Sequence, residues 1–94
     1  MLRPAAMAFR IDRLVAQRDL VVLRISGRIT QEDVEVLRSA IDQERGAIAI
    51  DLGEVGLVDR SAVNLLALSE ARGVELRNCP AYIREWIARE QENP

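Results

Sequence analysis

The chain has 94 residues, 49% of them hydrophobic, and carries a net charge of -2 with a pI near 5.1. That is the size of one domain around one modest core; the acidic balance argues against nucleic acid, and no stretch approaches the ~20 apolar residues of a membrane span. Histidine is absent and all 13 basic residues are arginine, which removes Ser-His and Cys-His nucleophile pairs, lysine Schiff bases, a Walker A lysine and His-ligated metal.

Arginine stays protonated and does not serve as a general base. The chain is therefore read as non-catalytic, with no metal and no cofactor. Residues 1–8 include Arg3 and Pro4 and are too short for the apolar core of a signal peptide. Together with the single Cys79, this points to a cytoplasmic, reducing setting. One domain is expected over 1–94, with an N-terminal arm over 1–8 and a loose tail over 91–94.

A weak alternation through Phe9, Ile11 and Arg13 predicts a first strand at about 8–15. Polar Gln17-Arg18-Asp19 then leads into Leu20-Val21-Val22-Leu23-Arg24-Ile25-Ser26, rich in β-branched residues, so the two segments read as a hairpin. The loop lacks an Asn-Gly type of turn signal. Thr30 is a good N-cap and Asp33, three residues on, approximates a capping box. Val34, Leu37, Ala40 and Ile41 recur on one helical face, which predicts a helix at about 31–44 with Gly46 as a stop.

From Ala47 to Leu52 the chain is apolar except for Asp51, as in a strand covered on both faces. Gly53 and Gly56 are expected to break that strand into a loop. Asp59 reads as the N-cap of a second helix that starts near Arg60, carries Val63, Leu66 and Ala67, and ends at Arg72-Gly73. Val74-Glu75-Leu76-Arg77 is a short edge strand. Pro80 suits the first position of a third helix at about 80–90, where Ile83, Trp86 and Ile87 form a stripe. The order β-β-α-β-α-β-α implies an α/β fold of the α+β type, a mixed sheet packed with helices.

A strand that passes through a glycine-containing loop into a helix places polar residues at the helix N-terminus, where free N–H groups and the dipole favour negative charge. Ile48-Ala49-Ile50-Asp51-Leu52 leading into Val58-Asp59-Arg60-Ser61-Ala62-Val63 resembles the STAS domain, the fold of bacterial anti-sigma factor antagonists and of the cytoplasmic domains of sulfate transporters. Leu23-Arg24-Ile25-Ser26-Gly27-Arg28-Ile29 and Gly73-Val74-Glu75-Leu76 fit the same order over Phe9 to Arg89. The resemblance implies a non-catalytic regulatory module that binds a protein partner. In the antagonists an Asp-Ser-Ser-Gly turn is phosphorylated on its second serine by an anti-sigma kinase. That position falls on Ser61 and the leading aspartate on Asp59, while Arg60 and Ala62 depart from the pattern.

Ser61 is thus the candidate phosphoacceptor, and the alternative is a first-turn serine serving free N–H groups. Gly56, Leu57, Asp59, Arg60, Ser61 and Asn64, within a loop and helix start over 55–66, are the candidate partner-binding residues. Arg60 is expected to offset a phosphate on Ser61 in part. The partner class is an anti-sigma factor or serine kinase, or else the complex of a constitutive subunit. Small relatives of the latter kind serve lipid-transport ATP-binding-cassette systems or stress-sensing assemblies. Asp51 is expected to bond the backbone that follows it; with Glu54 and Asp59 it is a weaker candidate for Mg²⁺. Cys79 reads as inert. Tyr82 and Trp86 are expected to cover the sheet, with part of that surface available to a homodimer or partner.

Overall fold

The hairpin forms, and its turn compensates for the missing glycine. In the computed structural model, which describes residues 8–92, β1 (Arg10–Val15) and β2 (Val21–Ile29) pair antiparallel from Arg10↔Ser26 to Val15↔Val21. Arg18 and Asp19 between them both take left-handed backbone angles, with φ of 62° and 63°. Two bonds close the turn, from the Ala16 N–H to the Leu20 carbonyl at 2.7 Å and from the Leu20 N–H to the Gln17 carbonyl at 3.2 Å.

α1 (Gln31–Asp42) begins where Thr30 and Asp33 predict it. The Asp33 carboxylate accepts from the Thr30 N–H and from its hydroxyl, both at 3.0 Å. The helix ends at Asp42, and Gly46 lies beyond its cap. α2 (Arg60–Ala71) closes with Gly73 at a φ of 103°. There the Val74 N–H bonds the Ser69 carbonyl and the Gly73 N–H bonds the Glu70 carbonyl, both at 3.0 Å, which satisfies carbonyls the helix leaves open. α3 (Ala81–Glu92) starts one residue after Pro80, whose carbonyl receives the Ile83 and Arg84 N–H groups at 3.0 Å. Gln91 and Glu92, expected in the loose tail, are its last turn. The arm expected over 1–8 lies outside the described residues apart from Ala8, as do 93 and 94.

One expectation fails. Gly53 and Gly56 do not break the third strand; β3 runs unbroken from Ile48 to Val58. Its parallel register against β2 slips twice, once between Arg24↔Asp51 and Ser26↔Glu54 and again between Gly27↔Val55 and Arg28↔Leu57. Each time β3 advances one residue more than β2. A glycine in a strand interior often marks a bulge instead of a break, and one falls in each slip. At Gly53 close neighbours also favour it. A Cβ there would lie 3.2 Å from Asp51 Oδ1 and 3.3 Å from Asn78 Cβ.

β4 (Glu75–Arg77) pairs parallel with β3 from Ala49↔Glu75 to Asp51↔Arg77. Among the described residues the sheet has the order β1-β2-β3-β4. Leu23, Ile25, Ile50 and Leu52 point to one side of it and join one cluster with Leu37 of α1, Leu66 of α2 and Ile83 and Ile87 of α3. The helices therefore cover a single face. The other face carries a charged row: strand register aligns Asp12, Arg24, Asp51 and Arg77 across all four strands.

Candidate functional site

Asp59 leaves β3 where that strand meets the start of α1, and its N–H donates to the Ile29 carbonyl at 3.2 Å. Its carboxylate then does more than cap one helix. Oδ1 accepts from the Ala62 N–H at 3.1 Å, inside the first turn of α2. Oδ2 accepts from the Gln31 N–H at 2.7 Å, at the first position of α1. Both donors belong to the N–H groups a helix leaves unpaired at its start. One anion thus satisfies the positive ends of two helices and fixes them side by side.

Ser61 stands two residues on, half-buried, in the second position of α2. With Asn64 it lines an open groove of about 410 Å³ whose far wall is Gln31, Val34, Glu35 and Arg38 of α1. Glu35 and Arg38 pair with each other at 3.5 Å, so a phosphate on Ser61 would meet a cation and an anion together. Arg60, expected to offset such a charge in part, is largely exposed. Its guanidinium turns to Glu90 of α3 at 3.6 Å.

The remaining candidates divide between two sides. Gly56 and Leu57 are strand residues, not loop; Leu57 is 53% exposed. The Gly56 carbonyl accepts from the Tyr82 hydroxyl of α3 at 2.9 Å. The set therefore separates into a groove side, Ser61 and Asn64, and an α3 side, Gly56 and Arg60, with Asp59 as the fixed point between and Leu57 exposed on β3. Gln31 and Arg38 were not among the candidates. The Thr30 cap could have pointed to Gln31, since it places that N–H at a helix start; no local pattern marks Arg38.

Asp51 bonds the backbone as expected. Its Oδ1 accepts from the Gly53 N–H at 2.9 Å and from the Asn78 amide at 3.1 Å. The Gly53 bond chiefly lowers its pKa against the opposing effect of burial, with Asn78, Arg24 and Arg77 adding to it. Among the described residues no group of three or more acidic, cysteine or histidine side chains is placed to hold a metal ion. Burial pushes the Cys79 thiol up, partly countered by Arg84, which weakens it as a nucleophile. Trp86 packs against the core, whereas Tyr82 is 43% exposed and reaches the sheet through its hydroxyl.

A family model described as "Mlab, STAS domain" matches residues 13–89. The chain belongs to the STAS family. Its fold is matched by the STAS domain of an anti-sigma-factor antagonist from Rhodobacter sphaeroides, at a TM-score of 0.56 and 20% identity, over 73% of this chain and 83% of that one. No curated protein shows a sequence match to this STAS domain. Among the described residues no helix is long and apolar enough to cross a membrane.

Proposed function

We propose that this STAS domain is a non-catalytic docking module in which a protein partner seats on the edge where the N-termini of α1 and α2 meet. The observation that supports it most is the pair of hydrogen bonds that the Asp59 carboxylate accepts from two helix starts, which makes that edge a rigid platform with Ser61 and Asn64 open on its groove side. Rigid, preformed surfaces bind without an ordering cost. In this reading Ser61 is the switch. A phosphate there adds about -1.5 to -2 charges at helix starts that tolerate them, so the fold survives while the docking edge changes sign. The partner is an anti-sigma factor or serine kinase, and the setting is cytoplasmic.

A second reading is a constitutive subunit of a larger assembly, such as a lipid-transport ATP-binding-cassette system. It is favoured by a specific observation. Both Asp59 oxygens are held by backbone donors and Arg60 lies towards Glu90, so the site as it stands is built for structure rather than around a phosphate. One experiment separates the readings. Wild type, Ser61→Ala and Ser61→Asp are compared as baits in the native cell, and intact mass is measured after co-expression with candidate kinases. The switch predicts an 80-dalton addition (about one phosphate) lost in Ser61→Ala, and partners lost or exchanged in Ser61→Asp. Equal partner sets for all three baits would reject it in favour of the constitutive subunit.

A further inference from the structure

We propose that two copies of this chain associate face to face through the open side of the sheet, about a two-fold axis that runs parallel to the strands over the gap between β2 and β3. The row Asp12, Arg24, Asp51, Arg77 carries the signs minus, plus, minus, plus from β1 to β4. Such a row is antisymmetric about its midpoint. The proposed axis reverses the strand order of the second copy, so β1 of one faces β4 of the other and β2 faces β3. Asp12 then meets Arg77 and Arg24 meets Asp51, each pair twice. A two-fold at right angles, along the row, would set every charge against its own duplicate. The charge pattern therefore selects one orientation and rejects the other.

The neighbouring row adds little to that choice. Leu14, Val22, Ala49 and Glu75 are aligned across the same four strands. In that row Val22 and Ala49 are already buried within the chain and Leu14 at the margin is 40% exposed, so the charged row carries the contact. Aligned sheets pack about 30° apart, a rotation that long arginine side chains absorb at the edges. Four strands about 4.8 Å apart and averaging about seven residues give a face of roughly 450 Å² per copy. About 900 Å² in total lies in the range of weak, transient complexes. The dimer is thus concentration-dependent and, because its contacts are ionic, sensitive to salt. It leaves the α1–α2 edge uncovered, so it is independent of how the partner docks.

Sedimentation velocity on the full chain, from micromolar to millimolar protein, tests this. Dimer is expected in dilute salt and is expected to be lost near 1 M salt, where the screening length falls to about 3 Å. Asp12→Arg alone and Arg77→Asp alone each create like-charge contacts and should weaken association by about tenfold or more. The two together restore opposite signs across the axis and should recover it. Asp12→Asn with Arg77→Gln, which removes attraction without adding repulsion, should weaken it less than either reversal. Circular dichroism confirms that each variant is folded at the assay temperature. A wild type that stays monomeric at millimolar concentration overturns the proposal. So does a dimer indifferent to the single reversals, or a double reversal that fails to recover.

Discussion

The sharpest consequence of the structure concerns Asp59, because its two oxygens act on different helices. Asp59→Ala removes the acceptor for the Ala62 N–H and for the Gln31 N–H. Loss of an N-cap costs about 1 kcal/mol, and loss of a hydrogen bond to a charged acceptor costs about 1.5–3 kcal/mol, the lower end applying to a half-buried group. The sum is about 2.5 kcal/mol. In a chain of this length that lowers the melting temperature by about 10–15 °C. A cap alone would account for less than half of it. Gln31→Pro isolates the second bond, because proline at the first helical position removes an N–H that has no partner inside the helix. Thr30 already has the extended backbone, with ψ 176°, that a residue before proline requires. A double-mutant cycle in denaturant should show the two changes coupled by about 1.5 kcal/mol. The entropy that proline removes from the unfolded chain is common to both backgrounds and cancels. Coupling below about 0.5 kcal/mol, within the usual error of additivity, would refute the clamp and leave Asp59 as an ordinary cap.

Asp51 gives a pH dependence. Its folded pKa lies below the ordinary carboxylate value, chiefly through the Gly53 N–H, so its stabilisation is present above about pH 4 and is lost as the pH falls towards the folded value. Urea unfolding at neutral and acidic pH should therefore show a steeper loss for wild type than for Asp51→Asn. Gly73→Ala should cost about 1–2 kcal/mol, purely through backbone conformation, because φ is 103° and nothing lies within 4 Å of the added methyl; thermal melting reads it. Cys79 should react with a thiol reagent more slowly than a free cysteine at neutral pH and accelerate only at alkaline pH, since its thiol is pushed up by burial.

The order of elements was legible because each one announces itself locally. Val34 and Leu37, Val63 and Leu66, and Ile83 and Ile87 are buried at the helical spacing that predicted them. Thr30, Asp59 and Gly73 punctuate the helices through hydrogen bonds that are local in sequence, or nearly so. What the sequence did not show depends on partners far along the chain. The 28-residue separation between Gln31 and Asp59, the turn of Arg60 towards Glu90 and the anchoring of Tyr82 on Gly56 have no periodic signature. The glycines of β3 were misjudged for a related reason. A glycine signals that the backbone is free to depart from regular geometry, but a loop and a bulge use that freedom equally. Only the neighbouring strand decides between them.

That decision also fixes where the site lies. β3 lays eleven residues along a span that β2 covers with nine. Pairing starts at Val21↔Ile48, and an unbroken register from there would set Gly56 opposite Ile29. Asp59 would then follow three residues beyond the end of β2, about 7 Å past the position it occupies, at roughly 3.3 Å per residue for two residues. Its carboxylate would miss the start of α1. The slips at Gly53 and Gly56 absorb the two extra residues, bring Val58 opposite Ile29, and let the Asp59 N–H reach the Ile29 carbonyl. Thr30 and Gln31 follow Ile29 directly, so the carboxylate arrives beside the one α1 donor it can satisfy. The two glycines therefore serve the candidate site from within the strand, by setting the distance at which the two helix N-termini share one charge.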